Sequence, residues 1–160
     1  MAQADFFLKL DSVPGESTDD KHKGEIEIDS FSWGEVNSGS AGHGGGGGSG
    51  KVVAQDMSFT KRIDKASAVL MIACATGQHF KDAVLTARKA GGGQQEYLKI
   101  KIEEVFVSSY QTSGAGSAMV QESFSVNFSK LEMSYKEQKP DGSLGGETKQ
   151  KYDFSANKKL

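Results

Sequence analysis

Along most of this chain hydrophobic side chains fall on every second residue, the period of a strand with one face in a core. Phe6, Leu8 and Leu10 alternate with Asp5, Phe7 and Lys9. In EIEIDSFSWGEV, Ile26 and Ile28 share one parity, while Phe31 and Trp33 take the other. Such a switch predicts a bulge near Asp29–Ser30, or a strand that leaves one sheet for another. VVAQDMSFTKRI places Val53, Met57 and Phe59 on one face, and FKDAVLTARKA resumes the alternation before a turn at Gly91–Gly93. In EYLKIKIEEVFVSSYQT, Leu98, Ile100 and Ile102 give way to Val105 and Val107, a second switch. After a turn at SGAGS, Phe124, Val126 and Phe128 share a parity, and Leu131, Met133 and Tyr135 take the other. KPDGSLGG reads as a turn, and KYDFSANKK as a last weak strand carrying Tyr152 and Phe154.

The period changes in one place. In DKASAVLMIACATG, Ala66, Val69, Leu70, Ala73 and Cys74 follow helical spacing. Asp64 or Ser67 can cap the start by accepting from free amides of the first turn. Gly77 can end it in the left-handed conformation that glycine adopts without penalty. The polar face of this helix is thin, so most of it is expected to be covered.

Long strands that switch faces, with one helix, describe a mainly β fold, a small β-barrel or sandwich with a helix packed on it, in a single domain over 1–160. A strand that outruns its own core must bury its far end elsewhere, and open edges invite aggregation. Subunits joined edge to edge in a closed ring answer both needs.

The stretch AGHGGGGGSGK, Ala41 to Lys51, aligns in part with a phosphate-binding loop through Gly45, Gly50 and Lys51. That motif needs a magnesium-binding Ser or Thr next and a helix directly behind it. Val52 follows instead, and VVAQDMSFT alternates like a strand. A long extended excursion between strands, with glycines that let backbone approach another surface, fits better.

Composition narrows the function. The 160 residues carry a formal charge of -2, with both signs mixed along the chain. No basic stripe marks a nucleic-acid surface, and no apolar run reaches the length of a membrane span. MAQADFFLKL lacks the layout of a secretory signal. A lone Cys74 fits a chain made in a reducing compartment and a small core residue. His22, His43 and His79 have no metal-type spacing, and neighbours Glu103 and Glu104 point to opposite strand faces, so no catalytic, metal or cofactor set emerges. Lys61, Arg62, Lys65, Arg88 and Lys89 form a basic set flanking the helix. They serve surface solubility, or pair with acidic residues of a neighbouring subunit.

Several blocks together carry a recognisable pattern. They are DFFLKL, PGES, His22, FSWG, GGGGGSGK, FTKRIDKASAVLMIACATGQH, LTARKAGG, EYLKIKIEEVFVSSY and the VNFSKLEMSY–PDG tail. On these the chain resembles the Hcp family, the haemolysin-coregulated tube proteins of bacterial type VI secretion systems, nearly end to end. The resemblance implies a structural protein built as a small two-sheet β-barrel with one packed helix, not an enzyme, without a cofactor. Its homohexameric rings stack into a tube that a contractile sheath propels, with effector cargo in the lumen and a VgrG-type spike at the tip. It implies assembly in the bacterial cytoplasm and export through the apparatus without a signal peptide, with no nucleic acid bound and no membrane insertion. It also implies that the loop from about Asn37 to Lys51 reaches the adjacent ring, with Ser40, Gly42, His43, Gly44, Gly46, Gly48, Gly50 and Lys51 as stacking residues.

If Phe31 and Trp33 face a packed layer, Ser30 and Ser32 face the other way, as a water-filled lumen would require. Ser30 and Ser32 are therefore candidate cargo contacts, and Arg62, Lys65, Arg88, Glu103 and Glu104 candidate subunit-interface residues. The rival readings are a phage-like tail-tube protein, a nucleotide-binding protein built on the glycine loop, and a monomeric barrel that binds a small ligand.

Overall fold

The computed structural model describes residues 4–38, 51–89 and 93–160. The chain order is β1 (Ala4–Leu10), β2 (Ile26–Ile28), β3 (Ser30–Ser32), β4 (Glu35–Asn37), β5 (Val52–Ala54), β6 (Met57–Arg62), α1 (Ser67–Thr76), β7 (His79–Lys89), β8 (Glu96–Ala115), β9 (Ala118–Asn127), β10 (Lys130–Gln138), β11 (Leu144–Asp153) and β12 (Lys158–Lys159). Ten strands join in one antiparallel sheet with two wings. One wing runs β12-β11-β10-β8-β7-β1-β2, and the other runs β3-β6-β9-β8. Strands β4 and β5 form a separate two-stranded ladder.

Two of the three parity switches mark places where the chain changes neighbours, and the third, between Phe128 and Leu131, is the turn from β9 to β10. Strand β2 pairs with β1, and β3, one residue later, pairs with β6. Strand β8 pairs with β10 as far as Glu103 and with β9 from Phe106 onward. Between those ladders sits Glu104, a non-glycine residue at φ 56°. This turns the strand and moves the buried set from Ile100 and Ile102 to Val105 and Val107.

The wings wrap a core of Leu8, Leu10, Ile26, Met57, Phe59, Leu85, Ile100, Ile102, Val105, Phe124 and Val126, among others. The expected two-sheet barrel is corrected to one folded sheet. Among the described residues its ladder does not close, because β2 and β3 follow each other in the chain without pairing.

Local departures have physical causes. Helix α1 ends at Gly77 with φ 69°, as its sequence predicts. Its start has no side-chain cap, and Asp64 instead accepts from the Ala66 amide at 2.9 Å, one step earlier. The helix is not largely covered. Ser67, Leu70 and Ala73 are buried, while Met71 and Ile72 stay 44 % and 51 % exposed. Val53 is exposed on the β4–β5 ladder opposite Val36, off the Met57 and Phe59 face. Residues 144–153, read in part as a turn, form β11, and the C-terminal polar stretch adds β12 along it.

Candidate functional site

The β3-β6-β9-β8 wing sets its residues in cross-strand rows. Phe31, Phe59, Phe124 and Tyr110 share one row on the core side, with the Phe59 and Phe124 rings stacked at 5.0 Å. The flanking rows face outward. One holds Ser32, Ser58, Ser125 and Ser109, and the other holds Ser30, Thr60, Ser123 and Gln111. Strand alternation dictates this, since apolar residues at 31, 59 and 124 leave their neighbours to solvent. The hydroxyls pair laterally: Ser30 Oγ lies 2.5 Å from Thr60 Oγ1, and Ser109 Oγ 2.5 Å from Ser125 Oγ. A register shift between Val107 and Ser109 also brings Ser108 within 2.8 Å of Ser125. Ser108 donates to Asp56 at 2.6 Å, and the Asn127 amide donates to the same carboxylate at 2.9 Å. Asp56 thus bounds the hydroxyl belt at one end, and Arg62, in register with Gln121, bounds it at the other. Sequence reasoning found Ser30 and Ser32 but missed the other six positions, although each alternates with a buried apolar neighbour or with Tyr110.

The exposed face of the other wing differs. Lys149 lies 3.8 Å from Glu132, Lys151 lies 3.4 Å from Glu103, and Lys99 lies 3.3 Å from Glu96. Exposed pairs of this kind add little stability and mainly keep a surface hydrated.

Of the residues expected at a subunit interface, Arg62 is exposed and reaches Met119, and Lys65 is exposed with its amide donating to Glu16 at 2.7 Å. Glu103 pairs with Lys151 within the chain, and Glu104 accepts from Ser129 at the β8 turn. Arg88 is 3 % exposed, stacks over Phe7 and donates to Asp19 at 2.6 and 2.9 Å. It holds this chain's own loop, not a surface. Lys61, read with the surface set, is fully buried. It pairs with Glu122, donates to Asp64 at 2.7 Å and bonds Ser67. Tyr110 donates to the same Glu122 at 2.5 Å. Burial, then the Glu122 carboxylate, pushes the Tyr110 phenol up. Parity would have found the pair, since Lys61 continues Met57 and Phe59, and Glu122 precedes Phe124 and Val126.

The stacking residues Ser40, Gly42, His43, Gly44, Gly46, Gly48 and Gly50 lie outside the described residues. Lys51 is exposed and leads straight into β5, so the segment after the glycines is a strand, where a phosphate-binding loop requires a helix. The described residues hold no cluster of His, Cys, Asp or Glu fit for a metal ion.

The loop between β1 and β2 is strapped across the sheet end. Besides the Arg88 pair, His22 stacks on Phe7 at 4.4 Å and lies between two carboxylates, 3.0 Å from Glu25 and 2.7 Å from Glu96. The Arg88 hydrogen bond holds the Asp19 carboxyl below its ordinary value, against burial. Burial opposes ionisation of Glu96, but bonds from His22 and Lys99 together leave its carboxyl below the usual range. Depressed carboxyls stabilise the fold above their unfolded pKa, near 3.9 to 4.3, and lose that contribution as pH falls through the folded value. The urea midpoint of Asp19→Asn should therefore lie below that of the parent at pH 7, and the gap should narrow below about pH 4. A gap that stays constant or widens in acid would refute the role of Asp19.

Residues 7–135 match the family profile described as type VI secretion system effector, Hcp. The chain is 47 % identical over 144 residues to protein hcp1 of Pseudomonas aeruginosa, covering 89 % of each. It superposes on a solved structure of a type six secretion system protein with a TM-score of 0.92 at 36 % identity, covering 99 % of this chain and 100 % of the other. Hcp1 from Salmonella typhimurium gives a TM-score of 0.82 at 36 % identity, covering 99 % and 100 %. The sequence blocks, the two-winged sheet and these likenesses agree, and the chain belongs to the Hcp family of type VI secretion proteins.

Proposed function

We propose that this chain is a structural subunit of a type VI secretion tube. Six copies close into a ring, rings stack, and the β3-β6-β9-β8 wing forms the lumen wall, with effector cargo lying against its serines. The supporting observation is the wing itself. Its outward face is hydroxylic, and among the described residues β3 pairs only with β6, and β8 beyond Phe106 only with β9. Two open edges on opposite sides of one curved sheet suit head-to-tail pairing, the geometry that generates a ring. Met71, Ile72 and Met119 are exposed apolar residues of the kind that a subunit contact covers. In this reading the subunit is made in the cytoplasm and leaves through the apparatus, with a sheath around the tube and a VgrG-type spike at its tip. Arg62 and Lys65 remain candidates for the ring contact, and the glycine-rich stretch for stacking.

Absolute mass by light scattering, with negative-stain images of the same peak, tests the ring. A mass near six chains and annular particles support the reading, while a monomer across a wide concentration range refutes it. The lumen assignment is tested separately by Ser32→Gln. Its rings should form normally and lose protection of a cargo effector, and unchanged cargo binding would refute a role for Ser32.

A further inference from the structure

We infer that the lumen wall holds its cargo without regard to the sign of the cargo's charge, through exchangeable hydrogen bonds to an uncharged hydroxyl belt. This rests on the tube reading above. The belt positions are Ser30, Ser32, Ser58, Thr60, Ser109, Gln111, Ser123 and Ser125, and none is ionisable. Charged residues make up 25 % of the chain, and they crowd the exposed face of the other wing. Along the same chain face, charge returns immediately at both ends of the belt, at Asp56 just before β6 and at Arg62 at its end. Charge is therefore absent from the belt alone, not from exposed strand positions in general.

The belt also carries no large apolar side chain, so burial against it offers little adhesion. Serine and threonine hydroxyls donate one hydrogen bond and accept others. Each can turn to meet a carbonyl, an amide, a carboxylate or an ammonium group on a passing surface. The lateral pairs Ser30–Thr60 and Ser109–Ser125 are hydroxyl–hydroxyl bonds that a cargo group can replace at little net cost, so both donor and acceptor capacity are available to it. Each contact is weak because water competes for it. Many of them around a closed wall retain a polar protein by fit and number, and release it when the rings part. The partner that suits this surface is a folded polypeptide with a polar exterior of either net charge.

The test uses assembled rings of the full chain and one cargo effector of the producing strain in three forms: native, with several added surface lysines, and with several added surface glutamates. Retention is measured at about 50 and about 500 mM salt, which spans weak to strong screening. The three forms should be retained within about twofold of one another and within about twofold across salt. A preference of about tenfold for one charge sign, or a tenfold loss in high salt, with native cargo still held at low salt, overturns the inference and leaves the tube reading standing. Rings that hold no native effector overturn the cargo reading, and the inference falls with it. Rings carrying Ser58→Glu with Ser123→Glu should favour the lysine-rich form by about tenfold. No change in preference would show that the belt is not the contact surface, which also overturns the inference.

Discussion

Lys61→Met costs the fold about 3–5 kcal/mol, the range for removing one partner of a buried ion pair. Lys61 is 0 % and Glu122 2 % exposed, and they face each other across β6 and β9. Without the ammonium, the Glu122 carboxylate stays in the core with Tyr110 as its remaining partner, and Asp64 loses the bond that ties the approach to α1. The loss comes from the stranded charge more than from the missing attraction. Lys61→Met combined with Glu122→Gln therefore recovers most of it, since the Gln carbonyl still accepts from Tyr110. Urea denaturation of the two variants decides the matter. If the double variant is as unstable as the single one, packing and not charge carries the effect.

Gly15→Ala is the second large effect. A Cβ at Gly15 would lie 2.3 Å from the Glu25 carbonyl oxygen and 2.6 Å from the Ile26 nitrogen, both backbone atoms at the entry to β2. No side chain can swing away to make room. The loop must lift, and it takes with it the Gly15 amide bond to the Gly24 carbonyl, the Asp19–Arg88 pair and the His22 contacts. Overpacking against fixed neighbours costs about 1–3 kcal/mol. The loop should also become a site of early proteolytic cleavage. A variant with the parent's urea midpoint and cleavage pattern would show that the loop accommodates the methyl group elsewhere.

Much of this fold is legible in the chain because one physical signal, period-two alternation, recurs almost throughout. Two of the three parity breaks, at Asp29 and at Glu103–Glu104, locate the places where strands change neighbours. What alternation does not carry is pairing: whether two wings share a strand depends on contacts far apart in sequence. The candidate site divides the same way. Ser30 and Ser32 stand out beside Phe31 and Trp33, but the rows that join them to Ser58, Ser109 and Ser125 exist only in the register of four strands. Lys61 and Arg88 were misread because charge was weighed as a surface signal. The place of Lys61 on the apolar parity of Met57 and Phe59 was the better guide, whereas Arg88 lies on the face opposite Leu85 and Ala87 and is buried there by the loop that carries Asp19. Most of α1 was expected to be covered because its polar face is thin. A single subunit offers only one core, so Val69, Met71 and Ile72 remain outside it.

The twenty residues of β8 cross from one wing to the other without a break in the strand. In the tube reading proposed above, where a sheath drives the tube, that continuity has a mechanical meaning. A load applied to the β3-β6-β9-β8 wing would pass along covalent backbone, through the bend at Glu104, into the other wing with no loop between them. The ladders on either side of β8 lie alongside this path, so their hydrogen bonds are loaded together in shear and not opened one at a time. Such a subunit transmits a push as a stiff body, and under overload it should part at its contacts with other copies before its own sheet divides.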